Sequence, residues 1–365
     1  MAQEPQPALK EIFNRDRLLH LASITKAAHA PFDEAAFMHH AMLGLDDLGI
    51  MQRMRQVATA WHAVLPGDYS RNLEILSALA PHIQHGFTSI SLAEYVALYG
   101  QDHFEQSMQA LHYFTRFGSS EFAVRHFLAK DLPRTLSVMQ TWASDENEHV
   151  RRLSSEGCRP RLPWSFQLKA LVDDPAPVMP ILEALKSDPS LYVRKSVANH
   201  LNDITKDNPA FVLQTVATWP TDNQHTTWII RQALRTLIKK GDNAALAILG
   251  VKGKADVEIE SFQVSPDNIS LGENVRIAAA ITATGTERQK LVVDYALHYV
   301  KKAGSTAPKV FKWKELHLEP GESVDLSINR AIKDFTTRTH YPGRHRVDLL
   351  INGEIKAQGE FTLTS

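Results

Sequence analysis

Tyr192-Val-Arg-Lys-Ser-Val-Ala-Asn-His-Leu-Asn-Asp-Ile-Thr-Lys206 is the stretch whose reading decides the fold. Val193, Val197, Leu201 and Ile204 recur at i, i+4, i+8 and i+11, the spacing of one buried face of an α-helix. That register turns Lys195, Asn199, Asn202 and Asp203 the other way. A second basic helix pattern, His149-Val-Arg-Arg-Leu-Ser-Ser-Glu-Gly157, lies upstream. There Val150 and Leu153 point inward, and Arg152 and Glu156 share a face four residues apart. The turn-rich link Cys158-Arg-Pro-Arg-Leu-Pro-Trp-Ser165 separates the two.

These helices belong to a repeat. Aligning Val150-Arg-Arg152 with Val193-Arg-Lys195 gives an offset of roughly 43 residues, and Lys195-Ser-Val197 with Arg231-Gln-Ala233 gives roughly 36, which brackets the period of HEAT-like helical pairs. Each is preceded by another apolar helix pattern, over Leu132 to Trp142, Val178 to Leu185 and Phe211 to Trp219. The intervening turns, at Ser144, Ser187 and Thr221, each offer a Ser, Thr or Asp to cap the next helix. Stacked pairs form a solenoid whose second helices line one wall. In register on that wall stand Arg152, Lys195 and Arg231, then Glu156, Asn199 and Arg235, then Asp203 and Lys239. A solvated helix face is the ordinary explanation of one such cation; repetition over three helices favours a phosphate-binding strip.

Upstream, residues 1 to about 130 also read as short helices, with breaks at Pro31, Gly49, Pro66-Gly67, Pro81, Gly86 and Gly100. The character changes after Gly241. From about Ala255, seven short strand patterns follow, Val257–Phe262, Val275–Thr282, Leu291–Val300, Val310–Leu318, Ser323–Ile328, Arg344–Ile351 and Ile355–Leu363. Their number and spacing predict an immunoglobulin-like β-sandwich over 255–365, without a cross-sheet disulfide because that segment has no cysteine. The expected architecture is therefore multi-domain, an all-α HEAT-like solenoid over 1–252 followed by an all-β sandwich.

Composition narrows the functional classes. Lys+Arg 40 against Asp+Glu 41 gives a net charge of -1, so a polyanion must be met by segregated charge. The single cysteine, Cys158, excludes an internal disulfide framework and fits a reducing cytoplasm. The N-terminus shows no charged-then-apolar leader and no segment has the apolar length of a membrane span, so a soluble protein is expected. There is no Gly-rich phosphate loop, His-Glu-x-x-His helix or Gly-x-Ser-x-Gly elbow. His82 and His85 lack a nearby carboxylate and are read as packing or surface residues, so no metal is expected.

What remains is a set of acids, Glu121, Glu156 and Asp203, with Trp164 nearby in sequence. Converging in a basic groove, they would stabilise positive charge. The alternative is structural, with Asp203 paired to Lys206 or Lys195, Glu156 paired to Arg152, and Trp164 packing the link.

Arg151-Arg-Leu-Ser-Ser-Glu-Gly157, leading to Arg159-Pro-Arg-Leu-Pro-Trp164, and Tyr192 to Pro209 resemble the alkylpurine DNA glycosylases of the AlkC and AlkD type. The resemblance covers roughly residues 1 to 250 and is closer to the AlkC branch, some members of which carry an immunoglobulin-like extension. It implies a cofactor-independent, monofunctional glycosylase that excises cationic bases, 3-methyladenine foremost, from alkylated double-stranded DNA and leaves an abasic site. It further implies a monomer, with Glu121, Glu156, Trp164 and Asp203 lining the base pocket. Asp203 is the expected electrostatic and water-positioning residue, and Arg152, Arg159, Arg161, Lys195, Arg231 and Arg235 the expected DNA-binding set. The rival readings are a non-catalytic scaffold and a lesion-binding protein without excision.

Overall fold

The computed structural model describes residues 8–251, 253–335 and 338–364. They form two compact units, Met1–Val212 with Trp219–Ala233, and Leu213–Thr218 with Leu234–Ser365. The helices are α1 Arg15–Ala28, α2 Glu34–Met42, α3 Ile50–Val64, α4 Tyr69–Leu79, α5 Gly86–Tyr99, α6 Phe104–Phe114, α7 Glu121–Lys130 and α8 Leu132–Trp142. They continue as α9 Glu148–Glu156, α10 Lys169–Asp173, α11 Met179–Leu185, α12 Leu191–Ile204, α13 Pro209–Ala217, α14 Gln224–Ala233, α15 Arg235–Lys239 and α16 Asn243–Ile248. Among the described residues, no helix is long and apolar enough to cross a membrane.

The deciding stretch and the second basic pattern upstream of it are both helical, as α12 and α9. Asn147 caps α9 by accepting from the His149 amide at 2.9 Å, and Glu148 sits in its first turn where the helix dipole favours an acid. On α12 the four apolar positions are fully buried, each contributing about 1.5–3 kcal/mol of transfer free energy. The outward stripe expected on α12 is only partly outward. Lys195 is exposed, but Asn202 and Asp203 are 4% and 3% exposed. The reason is lateral packing, because α12 is flanked by α9 on one side and α14 on the other. Asn202 donates from Nδ2 to the Ala233 carbonyl at 2.7 Å, and Asp203 turns toward the link that follows α9.

The repeat is visible in the hydrogen bonding of its arginines. Arg151 donates from Nη1 to the carbonyls of Asp145 and Glu146, six and five residues back, and Arg194 does the same to Asp188 and Pro189. Each ties the turn in front of its helix. The offset between α9 and α12 is the longer one because the Trp164 link and the short α10 lie between them. The third helix of the series does not run on as expected, since α14 ends at Ala233 and α15 begins at Arg235. Arg231 and Arg235 therefore stand on different helices.

In the second unit the strands are β1 Val257–Ser265, β2 Asn268–Ile269, β3 Asn274–Ala283, β4 Gln289–Val300, β5 Thr306–Leu318, β6 Ser323–Ala331, β7 Gly343–Ile351 and β8 Glu354–Leu363. They form a three-stranded sheet in the order β1-β3-β6 and a five-stranded sheet in the order β2-β8-β7-β4-β5. Ala279 and Ile281 of β3 and Leu326 of β6 pack against Leu291 and Val293 of β4 and Leu349 and Ile351 of β7, which closes a sandwich core. The strand beyond the seven expected is β2, pairing parallel with β8 through Asn268–Thr362 and Ile269–Leu363. Two residues are too few for alternation to register in sequence.

Candidate active site

A cavity of about 550 Å³ opens where α5, α7, α9, α12 and the link after α9 meet. Phe87, Ile90, Glu121, Arg152, Glu156, Arg159, Trp164 and Tyr192 line it. Two glycines permit the close approach. A Cβ on Gly118 would lie 2.5 Å from the Gly86 carbonyl oxygen, so only glycine lets the Ser119-Ser120-Glu121 turn seat against α5. At Gly157 a Cβ would lie 2.5 Å from Val124 Cγ1, so the end of α9 can touch α7 only without a side chain.

One chain of alternating charge runs along the cavity and behind it. Glu121 Oε2 accepts from Ser119 Oγ at 2.7 Å and from Arg152 Nη1 at 2.5 Å. Arg152 Nη2 lies 3.5 Å from Glu156 Oε1, which also accepts from Arg159 Nη1 at 2.6 Å. Glu156 Oε2 accepts from Ser196 Oγ at 2.5 Å. Arg159 then donates from Nε and Nη2 to Asp203 Oδ2 at 2.8 and 2.7 Å, and Lys206 Nζ donates to Asp203 Oδ1 at 2.8 Å. Burial disfavours the charge on Arg152 and Arg159, but Glu121 and Glu156 around the first, and Glu156 and Asp203 around the second, outweigh it and raise both above the ordinary arginine value. Both arginines stay cationic, and their guanidinium forks fix the carboxylates in place.

Trp164 forms the facing wall. It is 62% exposed and holds φ at +65°, a region that bulky residues rarely adopt, with its ring edge-to-face against Phe87 at 6.3 Å. Tyr192 closes another side, with the Arg152 guanidinium 5.0 Å from its ring centre.

Of the four residues expected in the pocket, Glu121, Glu156 and Trp164 line it. Asp203 does not; it lies one layer behind, with its oxygens engaged by Arg159 and Lys206. Its link to the cavity lining runs through the Arg159 side chain, which also holds Glu156. The structural pairings of Asp203 with Lys206 and of Glu156 with Arg152 are also present, in the same network. Arg152 and Arg159, expected to meet DNA phosphates, are committed to carboxylates inside the site because the acids are buried beside them. Arg161 donates to both oxygens of Asp207 at 2.7 Å nearer the surface. Lys195 is exposed, and Arg231 and Arg235 are half-buried. His82 is exposed, with its backbone carbonyl 3.1 Å from His20 Nε2, and His85 Nδ1 accepts from the Thr88 amide.

Sequence reading missed Phe87, Tyr192, Ser119 and Ser196 as lining or bonding residues; Tyr192 and Ser196 lie in the stretch that carries the family resemblance, but neither residue type points to this chemistry by itself. It also missed Arg125, whose Val124-Arg125 pair repeats Val150-Arg151 and Val193-Arg194. That repetition was the available signal.

Helical body, acid-and-arginine cavity and terminal sandwich together define the class. The sequence model of the family described as DNA alkylation repair enzyme matches residues 35–237, and the chain belongs to that family. A second model, described as the C-terminal Ig-like domain of the uncharacterised protein YhaZ, matches residues 258–365. The chain is 40% identical over 356 residues to the uncharacterised protein YhaZ of Bacillus subtilis strain 168, across 97% of this chain and 98% of that one. It is 53% identical to Pseudomonas fluorescens alkylpurine DNA glycosylase AlkC, solved bound to DNA containing an abasic site analog. That match covers 98% of this chain and 100% of the other with a TM-score of 0.95.

Proposed function

We propose that this chain is a monofunctional alkylpurine DNA glycosylase. It hydrolyses the N-glycosidic bond of cationic N3-methylated bases, 3-methyladenine foremost, in duplex DNA and leaves an abasic site. The observation that carries this reading is the cavity itself, where Glu121 and Glu156 are fixed by Arg152 and Arg159 opposite an exposed tryptophan. The likeness to the Pseudomonas fluorescens glycosylase supports it.

N3-alkylation places positive charge on the purine and weakens the bond to the sugar, so the leaving group needs little acid assistance. The demand shifts to the sugar, which becomes oxocarbenium-like, and to the attacking water. Fixed negative charge meets the first demand without reorganisation at the moment of reaction. Glu121 suits the second, because both side-chain bonds that it accepts fall on Oε2 and leave Oε1 without a protein donor among the described residues. Oε1 orients the water and accepts its proton. Trp164 and Tyr192 offer faces to the cationic base and sugar, worth about 0.5–2 kcal/mol. Lys195, Arg161, Arg231 and Arg235 hold phosphates, which gives affinity without sequence preference. Base excision belongs to residues 1–252, the sandwich is 255–365, and the protein acts as a monomer in the cytoplasm without a cofactor.

The test is release of free 3-methyladenine from methylated duplex DNA, with the strand left intact until alkali cleaves the abasic site. Binding of methylated DNA without base release would identify a lesion-binding protein instead. Neither binding nor release would return the chain to the scaffold reading.

A further inference from the structure

We propose that Arg125 is a positioning residue for this site, holding the link after α9 so that Trp164 and Arg159 are presented to the cavity together. This rests on the glycosylase reading. The Arg125 side chain is fully buried on α7 and reaches three carbonyls of one segment, Nη1 to Gly157 at 3.0 Å and Arg159 at 2.6 Å, and Nη2 to Phe166 at 2.5 Å. Its guanidinium also lies 5.4 Å from the centre of the Phe166 ring. The bonds bracket Trp164 on both sides in sequence.

The departure from the repeat is what assigns the role. Arg151 and Arg194, at the equivalent Val-Arg positions, tie carbonyls five and six residues back in their own turns. Arg125 instead reaches 32, 34 and 41 residues forward. A repeat arginine has been redirected from its own turn to the loop that bears the aromatic wall. Among the described residues Arg125 makes no ion pair, and its Nε has no partner. A buried cation without a paired acid is a poor device for stability alone, since an apolar residue of similar volume fills the same space at less desolvation cost.

What the guanidinium supplies is a planar fork with several fixed donors, which a single ammonium cannot reproduce. Trp164 at φ +65° needs such support, because a chain released from it relaxes toward commoner backbone angles. Arg159 is affected in the same movement, its carbonyl held by Arg125 and its side chain bridging Glu156 and Asp203.

The experiment is a double-substitution cycle with Arg125→Lys and Trp164→Ala in the full chain, read by single-turnover release of 3-methyladenine. Arg125→Lys is expected to slow release by about 100-fold, the effect of an ångström-scale misplacement, while affinity for abasic-site duplex is kept. In the Trp164→Ala background the same change is expected to cost a much smaller factor. Equal factors in both backgrounds, or no loss in the first, would overturn the proposal. A readout independent of activity is ¹⁹F NMR of the six tryptophans as 5-fluorotryptophan, with Trp164 assigned through Trp164→Phe. In Arg125→Lys the Trp164 resonance should move or broaden while those of buried Trp61 and Trp142 stay. An unchanged Trp164 signal, or collapse of all six, refutes a local positioning role. Absence of base release by the parent protein would count against the glycosylase reading alone, and the NMR result would still judge Arg125.

Discussion

Replacing Glu156 with glutamine removes one charge from the cavity while keeping the shape of the side chain. Glu156 is 5% exposed and stands between Arg152 and Arg159. A unit charge about 4 Å from a developing cation, at an effective dielectric constant of about 20, is worth about 4 kcal/mol. The glutamine dipole restores part of that, so the expected loss is about 100- to 1000-fold in the rate of base release. Folding should suffer less than in an ordinary broken buried pair, because Arg152 keeps Glu121 and Arg159 keeps Asp203. About 1–3 kcal/mol is expected there. Asp203→Asn serves as the comparison. Lying behind Arg159 and outside the cavity lining, it should reduce release by a smaller factor than Glu156→Gln. Single-turnover release from methylated duplex DNA, beside urea unfolding of each variant, separates the two effects. Release by Glu156→Gln within about threefold of the parent, or a larger loss in Asp203→Asn, would show that the charge facing the cavity is not the one that acts.

Three further outcomes follow from the same structure. Exposed Lys195, if it holds a phosphate, should on conversion to alanine lower the slope of log affinity against log salt by about one and leave the rate from saturated complex unchanged; an unaltered slope removes Lys195 from the DNA path. His200 is fully buried, and burial first, then Arg159, pushes it down to about 3 from the ordinary 6.5, so the unfolded chain takes up its proton at higher pH than the folded chain. Its contribution is complete above pH 6.5 and is lost as pH falls toward 3, at about 1.4 kcal/mol per pH unit; His200→Gln should flatten that dependence in urea titrations at pH 6.5, 5.5 and 4.5. Burial pushes Asp294 up to about 6 from 3.8, against the opposing pull of Lys239 and Lys312, so its folded form favours the proton and stability falls as pH rises through 6. Asp294→Asn should therefore stabilise the second unit at pH 7.5 by about 3 kcal/mol and much less at pH 4, which calorimetric melts at the two pH values would check.

Much of the architecture was legible because it rests on local periodicity. The helical repeat announced itself in Val150, Val193 and their apolar partners, and the sandwich in alternating strands separated by turn residues. Trp164, Glu121 and Glu156, which the family resemblance implied, line the cavity; Trp164 and Glu156 lie within the resembling stretches, and Glu121 lies outside them. The side on which a polar residue of a helix falls is a different kind of fact. Asn202 and Asp203 share the register of exposed Lys195, yet α9 and α14 bury them. Arg152 and Arg159 read equally well as phosphate ligands until the buried acids beside them are seen.

The sequence by itself determined the two kinds of secondary structure, their order and the residue types available for chemistry, since these follow from spacing along one chain. Only the tertiary structure decided which carboxylates face the cavity, which arginines are spent on holding them, and that Arg125 reaches across to the Trp164 link. Those outcomes depend on bonds between residues 30 to 45 positions apart, formed when helix flanks meet, and such pairings leave no periodic trace in the chain.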